Sequence, residues 1–164
     1  MSENRLRVGI AQFQIATPPA VLVTYGLGSC LAVVLYDESS GLGGLAHTLL
    51  PHALASNDGQ RREKFVDEAI TMMITELNGR GCATENLTAK LVGGATMFEP
   101  SPGSEKEPIG VRNTRAAREV LKERNIPIIA EDVGGNHGRT LEFDLASGMV
   151  MIKSVRGQHH DLAL

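Results

Sequence analysis

The chain has 164 residues, 42% of them apolar, with 16 basic side chains against 19 acidic ones and a net charge of −3. That length suits one domain, and no apolar run approaches the ~18–20 residues needed to cross a bilayer. The charge balance speaks against a nucleic-acid binder held by phosphate contacts and leaves a protein partner or a small substrate.

The start, Met1 to Arg7, lacks the apolar core of a secretion signal, so a cytoplasmic location without membrane insertion is expected. Arg5 to Ile15 reads as a first strand with Val8, Ile10 and Phe13 toward the core, broken by Thr17-Pro18-Pro19. Val21 to Tyr25 is rich in β-branched residues and gives a second strand, stopping at Gly26-Leu27-Gly28-Ser29. Cys30 to Tyr36 is a third and Gly41 to Leu50 a fourth, paired as a hairpin across the polar turn Asp37 to Ser40. After a loop from His52 to Gln60, the period changes. Phe65, Ala69, Met72, Met73 and Leu77 fall at helical spacing over 61–78, ahead of Asn78-Gly79. Leu87 to Val92 is a strand running into Gly93-Gly94, and Glu99 to Pro108 is a surface loop. Arg112 to Arg124 is a second amphipathic helix, with Ala116, Ala117, Val120 and Leu121 inward. Ile126 to Val133 is a buried-type strand, and Leu141–Leu145 with Met149–Val155 form a hairpin around Ala146-Ser147-Gly148. Seven or eight strands and two helices, segregated rather than strictly alternating, predict an α+β fold: a layered sandwich with mixed or antiparallel strands. One domain is expected over residues 1–157, with a flexible tail over 158–164.

Two cysteines, Cys30 and Cys82, cannot form a disulfide framework, and neither lies in a zinc-type spacing. His159 and His160 fall in the expected tail, so neither a metal nor a cofactor is expected. The 18 glycines cluster at 26/28, 41/43/44, 93/94 and 134/135, each flanked by apolar runs. Neither double glycine forms a phosphate-binding loop.

One constellation carries chemistry: Thr24, the Gly26-Leu27-Gly28-Ser29-Cys30 segment, and His47. A histidine neighbour turns a cysteine into a nucleophile, and glycine-flanked backbone brings N–H groups near a reacting carbonyl. If Asp37 to Ser40 is a four-residue loop, Tyr36 faces Gly41 and Cys30 faces His47. A loop of Ser40-Gly41 alone would instead put His47 opposite Val34. Singly, each residue has a plainer reading: Cys30 as a core thiol, His47 as a hydrogen-bonded buried ring, Thr24 as a strand residue. Cys82, His52 and His137 read as structural or solvated. The residues alone leave a Cys–His enzyme and an ordinary core evenly matched.

Five segments occur in an order that resembles the CheD family, the chemoreceptor glutamine deamidases. They are Thr24–Cys30, Ala46–Pro51, Gly93–Phe98, Ile109–Asn113 and Glu131–Asn136. The resemblance implies a nucleophile at Cys30, a base at His47 and a third catalytic residue at Thr24. It also implies a layered fold similar to deamidating bacterial toxins. The implied substrates are glutamines on the cytoplasmic helices of methyl-accepting receptors, with receptor methylesterase activity in some members and no cofactor. The implied partner is a CheC-type phosphatase, and a monomer is expected. Backbone N–H groups around Gly28, Ser29 and Cys30 are the candidates for an oxyanion hole. Phe98 and the second helix are candidates for gripping the receptor. Tyr25 stands where the family commonly has leucine. A non-catalytic adaptor for the phosphatase is the rival reading, and a cysteine peptidase a weaker third.

Overall fold

The structure is a computed structural model and describes residues 4–53, 61–98, 107–154 and 162–164. Among the described residues ten strands form two five-stranded sheets. The first has the order β1 (Asn4–Arg7), β3 (Ala20–Leu27), β8 (Arg139–Asp144), β9 (Val150–Ser154), β10 (Leu162–Ala163). The second has the order β2 (Gln12–Ala16), β5 (Gly43–Thr48), β4 (Leu31–Tyr36), β6 (Thr88–Gly93), β7 (Ile128–Val133). The pairs β1·β3 and β6·β7 are parallel and all the others antiparallel, so both sheets are mixed. Among the described residues two α-helices, α1 (Val66–Gly79) and α2 (Ile109–Glu123), pack on the outer face of the second sheet. The layered α+β class read from the sequence is therefore the class observed.

Alternation along the strands builds two cores, because successive side chains point to opposite faces. Leu31, Val33 and Leu35 of β4 face the helices, packing with Ile70, Met73 and Leu77 of α1 and Ala117 and Leu121 of α2. Ala32 and Val34 face the other way, meeting Leu22, Leu141, Phe143 and Ile152 of the first sheet. A strand buried on both faces reads as a continuous apolar run, as Leu31 to Leu35 does.

Several boundaries differ from the sequence reading. The expected strand Arg5–Ile15 is two strands in different sheets, separated by a turn in which Ala11 takes a positive φ of 61°. That turn throws Ile10 into solvent rather than the core, while Val8 stays buried and Phe13 half-buried. The first helix starts at Val66 because residues 64 and 66 exchange backbone hydrogen bonds with Leu49 and Leu50, leaving only a short 3₁₀ turn before it. The second starts at Ile109, three residues early, with Pro108 fixing its entry. Of the expected tail, residues 158–161 lie outside the described residues, as do His159 and His160. Residues 162–164 do not fray. Val150 and Leu164 exchange both backbone hydrogen bonds at 2.8 Å, and Lys90 Nζ donates to the Leu164 carbonyl at 2.6 Å. The otherwise unpaired edge of β9 and a buried lysine that needs acceptors together hold that segment.

The hairpin β4·β5 decides where the site forms. Its register pairs Tyr36 with Gly43 and Ala32 with His47, between the two alternatives the sequence allowed. Asp37 continues the ladder, its N–H donating to Leu42 O at 2.9 Å, so the four-residue connection is Glu38 to Gly41. Asp37 is not a solvated turn residue. It is 3% exposed, and its carboxylate accepts from Ser39 and from the buried thiol of Cys82.

Candidate active site

A two-residue change of register keeps His47 on the expected face, because side chains repeat every second residue. His47 points between the sheets, on the side of Leu45 and Ala32, and is fully buried. Cys30, two residues before Ala32, packs against the same inter-sheet core and is half-buried. The two are diagonal neighbours across the hairpin rather than directly opposed. On a regular ladder such Cβ atoms lie ~7–8 Å apart or somewhat less; here the ladder ends at Leu31–Thr48, one residue short of Cys30, and no hydrogen bond joins the Cys30 thiol to Nε2.

Thr24 comes from the facing sheet. Its Oγ1 lies 2.7 Å from the Val8 carbonyl oxygen and 2.7 Å from His47 Nδ1. A hydroxyl has one proton and a carbonyl can only accept. The threonine therefore donates to Val8, and Nδ1 must carry its own hydrogen and donate to Oγ1. That assigns the tautomer: Nε2 is the bare nitrogen. It is buried and has no hydrogen-bond partner among the described residues. Val8 is itself tied to β3 by its N–H to Val23 O at 2.7 Å, and Ala11 N–H donates to His47 O at 2.9 Å. The turn that splits β1 from β2 thus clamps Thr24 and His47 together.

Burial lowers the His47 pKa to about 4, and burial raises that of Cys30, opposed by a hydrogen bond from the cysteine's own backbone N–H. With both charged forms disfavoured, the resting pair is a neutral thiol and a neutral imidazole, not an ion pair.

The chain reaches Cys30 through an irregularity. Pairing of β3 with β8 shifts register between Thr24 and Leu27, and Gly26 takes φ 70°. The loop that follows is pinned from β6: Gly94 N–H donates to Cys30 O and Ala95 N–H to Gly28 O, both at 2.9 Å. Gly93 sits at φ 111°, and a Cβ there would lie 2.4 Å from the Cys30 carbonyl oxygen, so only glycine fits. The N–H groups of Ser29 and Cys30 donate to no backbone or side-chain acceptor of another residue among the described residues. Met97 covers Gly28, and Phe98 beside it is 87% exposed.

Two residues of this end were missed in the sequence. Asn113 of α2 is fully buried, and its Nδ2 donates to Ser29 O at 3.0 Å and to Leu49 O at 3.1 Å. It falls on the inward stripe with Ala116, Ala117, Val120 and Leu121, and an amide on an apolar stripe is the signal that could have found it. Arg139 is 2% exposed and carries its guanidinium from the first sheet to Asp132 of the second at 3.0 Å, with Gly93 O at 3.5 Å. It is an arginine on the inward face of β8, two residues before Leu141. Of the other candidates, His52 is exposed and meets Asp67 at 3.4 Å, and His137 lies in the turn after β7 against Gly135. Cys82 is buried against Asp37, its thiol pushed up to about 12. Neither histidine nor Cys82 joins the Thr24–His47 pair.

The CheD chemotactic sensory transduction family matches residues 49–154. A Geobacter metallireducens protein named probable chemoreceptor glutamine deamidase CheD 2 is 50% identical over 152 residues, covering 92% of this chain and 94% of its own. Similar proteins are CheD 3 of Geobacter sulfurreducens, at 45% identity over 91% of this chain and 93% of its own, and the Clostridium novyi CheD, at 43% over 94% and 96%. Spans of that length take in Thr24, Cys30 and His47. A solved structure of the Bacillus licheniformis hypothetical protein YfiH is similar at a TM-score of 0.48 and 16% identity, covering 73% of this chain and 49% of that one. Among the described residues no helix is long and apolar enough to cross a membrane. By its family match and by relatives this similar over nearly its whole length, the chain belongs to the CheD family.

Proposed function

We propose that this protein hydrolyses glutamine side chains of chemoreceptors to glutamate through a thioester on Cys30. The observation that carries this reading is the bare, buried Nε2 of His47, held in that tautomer by Thr24 on the face where Cys30 packs. The names of its relatives supply the substrate class.

Nε2 takes the Cys30 thiol proton as the sulfur attacks the carboxamide carbon. The oxyanion that forms is met by the N–H groups of Cys30 and Ser29, which bond no other residue among the described residues, whereas the Gly28 N–H is taken by Gly26 O at 3.1 Å. The imidazolium returns its proton to the amine as the C–N bond breaks, so ammonia leaves and a thioester remains. Water, deprotonated by Nε2, attacks the thioester, and the proton passes back to the departing sulfur. The sum is glutamine plus water giving glutamate plus ammonia. A neutral threonine stabilises the imidazolium less than a carboxylate would, so turnover is modest. A glutamyl methyl ester would enter the same path with methanol leaving, so an accessory methylesterase activity is part of the proposal. The same catalytic domain, working as a cytoplasmic monomer, also binds a CheC-type phosphatase.

The test is peptide mapping of receptor cytoplasmic fragments after incubation with wild type and Cys30→Ala. Each deamidation adds about one dalton as an amide becomes an acid. Gains at defined glutamines with wild type alone support the enzyme. No gain on any cognate receptor, with tight phosphatase binding, would replace it with the adaptor.

A further inference from the structure

We infer that Asn113 is a positioning residue that sets both the direction of the Cys30 N–H and the spacing between the nucleophile and its base. This rests on the proposed deamidase reading and concerns the same site.

The Asn113 amide joins two pieces of chain that approach from different elements. Ser29 O belongs to the peptide that ends in the Cys30 N–H, and Leu49 O lies two residues beyond His47. In a trans peptide the carbonyl and the N–H point in opposite directions. Holding Ser29 O against α2 therefore turns the Cys30 N–H away from the helix, toward the inter-sheet side where the Cys30 sulfur packs. That N–H is the one that stabilises the thiolate. The Cys30 carbonyl is fixed separately by the Gly94 N–H, so both peptide planes flanking the nucleophile are held from outside the loop. The second bond, to Leu49, ties the exit of β5 to the same side chain. One rigid amide thereby spans the nucleophile loop and the strand that carries the base.

The assignment of the two ends of the amide is not arbitrary. Both partners of Nδ2 are carbonyl oxygens, which accept only. Oδ1 is left buried without a partner among the described residues. A side chain present only to fill the core would not leave a carbonyl unpaired there, because apolar side chains of that size avoid the cost. The bridge, not the burial, accounts for an asparagine on this stripe. The anchor is also short and stiff: α2 begins at Ile109, and Gly110 lies so close to the Gly94 and Ala95 carbonyls that a Cβ would meet them at 2.5 and 2.4 Å. The start of α2 therefore packs directly on the backbone that follows β6 and pins the Cys30 carbonyl.

The experiment compares wild type with Asn113→Leu and Asn113→Ala. Turnover on a receptor fragment is normalised to titratable Cys30, and the alkylation rate of Cys30 by iodoacetamide is followed from pH 5 to pH 10. A misaligned pair should cost about 100-fold in kcat with KM within about threefold. Alkylation at pH 7 should fall about 10-fold. A lower melting temperature with wild-type turnover per site and an unchanged alkylation profile would overturn the proposal. Should neither variant fold, wild type supplies the answer. The Asn113 side-chain amide protons should exchange slowly and change their NMR shifts when Cys30 is alkylated. Fast exchange, or shifts indifferent to alkylation, would refute the bridge. Alkylation needs no receptor, so inactivity of wild type on receptors would count against the deamidase reading and leave this test intact.

Discussion

Replacing Thr24 by valine removes one oxygen and keeps the shape, so its consequences follow from two hydrogen bonds. The hydroxyl donates to Val8 O and accepts from His47 Nδ1, both at 2.7 Å in a fully buried position. Valine leaves a carbonyl and an N–H unpaired, at about 1–3 kcal/mol each. Burying a methyl in place of the hydroxyl returns about 1 kcal/mol. The net loss is about 3 kcal/mol, which for a chain of this size lowers the melting temperature by about 6–12 °C. Activity should fall further than stability explains. Without its acceptor the Nδ1–H no longer fixes the tautomer, and loss of an orienting group of this kind costs about 100-fold in kcat. Thr24→Ser keeps the oxygen and should retain most of the rate. The assay is ammonia release from a receptor fragment at a temperature where all three proteins are folded. Full activity in Thr24→Val would refute the role given to the threonine and the tautomer with it.

Two further outcomes follow from the electrostatics. His47 has a folded pKa of about 4 against an ordinary value of 6.5. Its neutral, base-competent form therefore persists well below neutrality, and kcat/KM should stay level from pH 8 to 6 and fall only toward pH 4. Between those two pKa values the unfolded chain holds the extra proton, so stability drops as pH falls from 6.5 through 4, by about 3 kcal/mol in all. An acid limb centred at 6.5 would contradict the burial argument. The two thiols should also separate cleanly. Cys82 is buried, bonded to Asp37 and pushed up to about 12, so iodoacetamide at pH 8 should label Cys30 alone, as read by peptide mass. Equal labelling of Cys82 in folded protein would show that its burial is wrong.

What was legible in the sequence divides by the range of the interaction. The apolar run Leu31 to Leu35 and the helical stripe through Ala69, Met73 and Leu77 are local patterns, and each gave its element. The β8·β9 hairpin was read correctly because Ala146-Ser147-Gly148 sits between two alternating strands. The register of β4·β5 was not, because Asp37 looks like a turn residue until a thiol 45 positions away draws it into the core. The split of Arg5–Ile15 between two sheets likewise depends on which strand each half pairs with, and no local pattern records that. Thr24, Cys30 and His47 could be named from their types and order. That Thr24 reaches His47 across the sandwich, rather than along a strand, is a fact of sheet packing alone. Asn113 closes the family-like segment Ile109–Asn113, but nothing in the sequence gives it a role, because its neighbours on the stripe are apolar and its partners are backbone oxygens, which carry no mark in a sequence.

The central claim is a covalent thioester between Cys30 and the side chain of a receptor glutamine. It is tested most directly by running the reaction in ¹⁸O-water with and without hydroxylamine and weighing the modified peptide. Hydrolysis of a thioester by solvent predicts a glutamate about 3 Da heavier than the glutamine, and hydroxylamine should divert it to a hydroxamate, with neither product formed by Cys30→Ala. Deamidation that persists in Cys30→Ala, or that hydroxylamine never intercepts, would contradict the account.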